Sequence, residues 1–153
     1  MIELRFDPAY VDEEMHGLDL DQTPAAAIEA TCFITPTRFV AEGVDLLSET
    51  GIYDGWRPLP IIGFADSIEY ASANLPQSGT ARVSLADGGW LVLRLAGTKA
   101  TVTNTATEAT AELPLRELQQ ATAELVSRAC AYARTMAPSI TRHSGWASWC
   151  GGC

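Results

Sequence analysis

The sequence predicts an α+β domain: one antiparallel β-sheet of about five to seven strands with two helices packed on one of its faces. Three observations carry this. Apolar and polar residues alternate with a period of two near the N-terminus and again between Thr80 and Leu113, the pattern of half-buried strands. Only two stretches repeat near 3.6 residues, one from about Ile61 to Asn74 and one after Pro114. A parallel sheet would need a crossover helix between successive strands, and here a single helix separates the two strand groups. The 153 residues, 47% apolar and 19% charged, fit one ordinary globular domain able to bury a core without disulfides. We read that domain as residues 1–138 and residues 139–153 as a tail outside the core.

Ile2, Leu4 and Phe6 alternate with Glu3 and Arg5, which makes a first strand. Asp7 to Pro24 is acidic and bounded by Pro8 and Pro24, so it reads as a connection with a helical turn around Val11 to His16. His16, between acidic neighbours, reads as a surface histidine. Ile28, Thr31, Phe33, Ile34 and Thr35 indicate a second strand. Pro36-Thr37 breaks it before Phe39, Val40, Val44, Leu46 and Leu47 complete a hairpin. Glu42, Asp45, Glu49 and Asp54 fall on or just after the second arm and concentrate negative charge there.

Gly51 to Pro60 is rich in turn residues, and Pro60 opens the first long helix. Ile61, Phe64, Ala65, Ile68 and Ala71 give that helix one apolar face, with Asp66 and Glu69 outward and a stop before Pro76. From Gly79 a β-meander follows: Thr80 to Leu85, Trp90 to Leu95, Thr101 to Thr105 and Thr110 to Leu113. Asp87-Gly88-Gly89 is hairpin chemistry rather than a phosphate loop, which needs further glycines, a lysine and a following helix. After Pro114, Leu118, Ala121, Leu125, Ala129, Tyr132 and Ala133 mark a long amphipathic helix that Pro138 ends.

Charge is distributed unevenly. Residues 1–76 carry 14 Asp/Glu against 3 Lys/Arg, a net of −11, and residues 77–153 carry 5 against 7, a net of +2, which sum to −9. Such a chain lacks the basic face that nucleic acid requires and favours a cationic partner. No basic start precedes an apolar stretch, so no signal peptide is expected, and no apolar run reaches the roughly 20 residues of a membrane span. These readings place the protein in the cytoplasm, with its cysteines reduced and Cys32 and Cys130 serving as small buried hydrophobes.

No GxSxG, HExxH, GxGxxG or P-loop pattern occurs, and with two histidines the common hydrolytic arrangements have little to use, so neither an enzyme nor a cofactor is expected. The tail is the one concentrated oddity. Cys150-Gly-Gly-Cys153 has the spacing of a shared metal or small disulfide, but a structural zinc would have to recruit His143 and one more ligand such as His16 or Cys32, and the metal state stays open. Trp146, Ser148 and Trp149 beside the pair make Ser144 to Cys153 look like the modified core of a ribosomally made natural product. On that alternative the domain is a carrier recognised by a peptide-modifying enzyme.

The helix opener Pro58-Leu-Pro-Ile-Ile-Gly-Phe-Ala65, the Gly-centred hairpin through Trp90 and the long helix after Leu113 resemble, at the level of architecture, the small acidic immunity proteins of bacterial polymorphic toxin systems. The resemblance implies tight, non-catalytic inhibition of a basic protein partner, a toxin, by an acidic surface. It points to Glu42, Asp45, Glu49 and Asp54 as pairing carboxylates and to Trp56 as the aromatic anchor.

Overall fold

The computed structural model describes residues 1–15, 17–47, 56–86 and 88–151, without the side chain of Glu14. Expectations for His16, Glu49, Asp54, Asp87 and Cys153 therefore lie outside the described residues. Eight strands and four helices occur among them, in the order β1 (Ile2–Phe6), α1 (Ala25–Thr31), β2 (Ile34–Ala41), β3 (Val44–Asp45), β4 (Arg57–Pro60), α2 (Ile61–Ser78), β5 (Thr80–Ser84), β6 (Trp90–Ala96), β7 (Lys99–Asn104), β8 (Thr110–Pro114), α3 (Leu115–Met136) and α4 (Trp146–Cys150).

The strands form two separate four-stranded antiparallel sheets, which corrects the single sheet with two helices. In the first, β2 is central, pairing with β1 along one edge and with β3 and β4 along the other. The second is the meander β5-β6-β7-β8. The break falls where β4 and α2 return the chain: β4 reads as a loop in sequence because Pro58 and Pro60 remove two backbone donors. Pro36 of β2 stands opposite Pro58 of β4, so at that position neither strand asks the other for an N–H. This is how a proline that seemed to break β2 sits inside it.

Two other elements depart from the periodicity. Ala25–Thr31 is helical although Ile28 and Thr31 look strand-like, because Ala25, Ala26, Ala27 and Ala30 favour helix and Ile28 alone of the segment is buried. Helix α2 continues through Pro76 to Gly79, where Gly79 N–H reaches Leu75 O at 2.8 Å. Pro76 has no N–H for the carbonyl of Ser72, and Gln119 Nε2 of α3 donates to that oxygen instead at 3.1 Å. The Ser72 hydroxyl meets that of Thr122 at 2.8 Å in the same buried seam.

Helices α2 and α3 pack on each other and on the inner face of the meander, which contributes Val83, Leu91, Leu93, Ala100, Val102, Ala111 and Leu113 to the core. The sheets are tied by buried polar groups. Arg57 of β4 donates to Leu85 O and Gly88 O, each at 3.0 Å, and Asn104 Nδ2 of β7 donates to Leu46 O at 3.0 Å. Among the described residues no helix is long and apolar enough to cross a membrane.

Candidate functional surfaces

Glu42 and Asp45 lie on the β2–β3 hairpin, where the register pairs Ala41 with Val44 and Val40 with Asp45. Positive φ at both Glu42 (50°) and Gly43 (78°) gives the mirror-image two-residue turn whose twist suits a hairpin, a conformation glycine adopts freely. The Glu42 carboxylate accepts from the Met1 ammonium at 2.6 Å, and this hydrogen bond raises the pKa of that amine. Asp45 Oδ1 accepts from Leu47 N–H at 3.1 Å. Both predicted carboxylates thus also hold local structure. Trp56 is half-buried, with the Arg5 guanidinium 5.0 Å from its ring centroid.

A surface that sequence reasoning passed over lies in the acidic connection from Asp7 to Gln22. It is held at several points: Asp12 Oδ2 accepts from Ile34 N–H at 3.0 Å, Tyr132 Oη donates to Tyr10 O at 2.7 Å, and Asp19 Oδ1 accepts from Asp21 N–H at 3.0 Å at the start of a short 3-10 turn that buries Leu20. Between these anchors Tyr10, Val11 and Leu18 are 42%, 45% and 42% exposed, although the fold has a core to receive large apolar groups. Glu13, Asp19 and Asp21 are exposed in the same stretch. The signal was legible as Tyr10-Val11 beside Asp12-Glu13-Glu14 and as Leu18-Asp19-Leu20-Asp21, acidic and apolar residues interleaved without helical or strand periodicity.

The tail does not stand apart from the core. Trp149 is 3% exposed; its Nε1 donates to Glu29 Oε1 at 2.7 Å, and its ring stacks on His143 with centroids 5.3 Å apart. His143 accepts Gly145 N–H at Nδ1 (2.9 Å), which leaves Nε2 to donate to Thr23 O at 2.6 Å. With both ring nitrogens engaged, this histidine is neither a free base nor a ready ligand. Cys150 forms a disulfide with Cys130, 20 residues earlier on α3, which corrects the C-terminal CxxC reading and the expectation of a reduced Cys130. The two-residue spacing drew attention to Cys153, whereas the amphipathic packing of α3 brings Cys130 to Cys150. Cys32 is a buried thiol whose pKa burial raises. No group of three or more potential metal ligands occurs among the described residues. Trp146 is half-buried against the core, and Ser148 is exposed.

Two of the grooves among the described residues carry ionisable side chains. One of about 500 Å³ between α1, α2 and the β4–α2 junction is lined by Glu29, Asp66, Phe64 and Ser84, among others. Burial, then the nearby carboxylates of Glu29 and Glu69, raises the Asp66 pKa. The other, about 530 Å³, lies between β1 and α3 over Phe6, Tyr132 and Met136, with Arg5 and Arg128 at its side.

No family model, no curated protein and no solved structure matches this chain.

Proposed function

We propose that this chain is a non-enzymatic binding domain that takes a basic protein partner on an acidic surface, as an immunity-type inhibitor takes its toxin. The observation that carries the reading is the exposure of Tyr10, Val11 and Leu18 within a segment bearing Glu13, Asp19 and Asp21. Large apolar side chains left in water beside like charges form the anchor-and-rim pattern of a docking surface: the apolar groups supply affinity, the carboxylates steer and select. Glu42 and Asp45, with Trp56, extend the acidic half and act as rim groups, since each already has an internal partner.

The carrier alternative is disfavoured by the burial of Trp149 and Cys150, because a modifying enzyme would have to pull both from the core. Disulfides persist in oxidising compartments and are rare in the cytosol, so we propose that the domain meets its partner where Cys130–Cys150 stays oxidised, rather than in the cytoplasm.

The test is photo-cross-linking in the native host with a photoreactive phenylalanine analogue at position 10, 18 or 70. Tyr70 is an exposed control on α2, 68% accessible. One basic protein cross-linked from 10 and 18 and absent from 70 supports the reading. Cross-links from 70 alone, or none from 10 and 18, refute it.

A further inference from the structure

The outer face of the meander carries more cations than carboxylates, against the acidic net charge of the chain. Helices α2 and α3 cover the inner face, and the alternate residues point to solvent. Trp90 sits on this outer face, 41% exposed, with the Arg82 guanidinium 4.7 Å from its ring centroid. Arg94 and Lys99 share the face, and its strand residues carry one carboxylate, Glu112, which lies 3.5 Å from Lys99 Nζ. An exposed tryptophan stacked with arginine among further cations is the mirror, in charge, of Tyr10, Val11 and Leu18 among Glu13, Asp19 and Asp21.

We infer that the two surfaces recognise each other between copies: the acidic Asp7–Gln22 segment of one chain docks on the Trp90 face of the next. Within one chain they cannot meet, because the acidic segment is tied to the helical side by the Tyr132–Tyr10 bond while the Trp90 face points away from the helices. The contact joins two different patches, so it is head-to-tail and leaves a free acidic end and a free basic end on every assembly that does not close into a ring. Four strands about 4.8 Å apart and about five residues long give a face of roughly 300 Å². That is well under the roughly 800 Å² per partner of a stable complex, so the association is weak and salt-sensitive. The inference rests on the reading of Asp7–Gln22 as a docking surface and names a second copy as one occupant of it.

The test is sedimentation velocity on the full chain over two decades of concentration, at low and high salt, with two variants, Arg82→Glu/Arg94→Glu and Glu13→Lys/Asp19→Lys/Asp21→Lys. The wild type should form concentration-dependent species that salt disperses, and each variant alone should associate at least ~10-fold more weakly, a ~1.4 kcal/mol change. Mixing the variants should restore association, because each supplies the native face that the other lacks. Should either charge reversal disturb folding by circular dichroism, Arg82→Gln/Arg94→Gln replaces the first and Glu13→Gln/Asp19→Asn/Asp21→Asn the second. A wild type that stays monomeric throughout, or variants that fail to complement, overturns the inference. So does a fluorescent oligothymidylate that binds the Trp90 face more tightly than the protein binds itself, since the face would then belong to a polyanion. Failure to find a basic partner in the host leaves this result intact. Loss of self-association in the Arg82/Arg94 variant leaves capture of such a partner intact.

Discussion

Replacing Arg57 by methionine should cost about 2–4 kcal/mol of folding stability, because that side chain joins the two sheets. Arg57 belongs to β4 of the first sheet and is 6% exposed. Among its partners are Leu85 O and Gly88 O in the β5–β6 connection, both at 3.0 Å, and Leu47 O beyond β3 at 3.4 Å. Methionine fills much of the same volume but donates nothing, leaving the buried Leu85 O orphaned at ~1–3 kcal/mol, while Gly88 O, on an exposed residue, loses a bond worth ~1 kcal/mol and turns to water. The long third bond adds little. For a chain of this length each kcal/mol moves the midpoint by ~2–4 °C, so Tm should fall by about 10 °C. Arg57→Lys, which keeps the charge but not the planar fork, should fall between methionine and wild type. The assay is thermal and urea unfolding followed by circular dichroism at two wavelengths. A methionine variant within ~1 kcal/mol of wild type would show that the Arg57 bonds do not hold the sheets together, and a lysine variant indistinguishable from wild type would show that the planar fork is not needed.

Three further perturbations probe other parts of the same frame. Cys130→Ser/Cys150→Ser, or a dithiol reductant, should lower stability by ~3 kcal/mol, the chain-entropy value for a loop closed across a sequence separation of 20, read by calorimetry; an unchanged midpoint would mean that α4 seats itself without the bond. Gly63→Ala should destabilise by at least ~1–3 kcal/mol in urea titrations, since a Cβ there would lie 2.0 Å from Glu29 O and force α1 off α2; a neutral result would require that the helices are not in contact. Tyr132 has its phenol pushed up from 10.0 to about 12, first by burial and then by Asp12, Tyr10 and Asp7. The folded state therefore holds this proton more tightly than the unfolded chain, so the stabilisation is complete below pH 10.0 and is lost as pH rises toward about 12. Tyr132→Phe should flatten that alkaline leg while losing ~1 kcal/mol at neutral pH with the bond to Tyr10 O, and an unaltered pH profile would count against the assignment.

Local patterns were legible where period and chemistry agreed. The meander announced itself through alternation and glycine turns, and α3 through its apolar stripe between Pro114 and Pro138. What misled was proline. Pro36, Pro58 and Pro60 argued against strands, yet the first two oppose each other across β2 and β4 and cancel their missing donors, and Pro76 argued for a helix end that Gln119 makes unnecessary. Each rescue comes from a residue distant in sequence, invisible to any local window. The joining of the two sheets has the same character, since Arg57 and Asn104 reach carbonyls 28 and 58 positions away. The tail was misjudged because Cys150-Gly-Gly-Cys153 invites a local reading, while Cys150 is oxidised onto Cys130 and Trp149 hydrogen-bonds Glu29. Of the predicted acidic site, Glu42 and Asp45 share a hairpin, and the exposed apolar groups beside acids are found instead between Tyr10 and Asp21.

The central claim is tested most directly by capture from the native host with the tagged full chain, comparing wild type with a Tyr10→Ala/Leu18→Ala/Asp19→Lys/Asp21→Lys variant under rising salt. The account predicts one basic protein, stoichiometric with the wild type, released as salt rises and absent from the variant. Retention of the same partner by the variant, or a stoichiometric partner that is acidic and indifferent to salt, would contradict it.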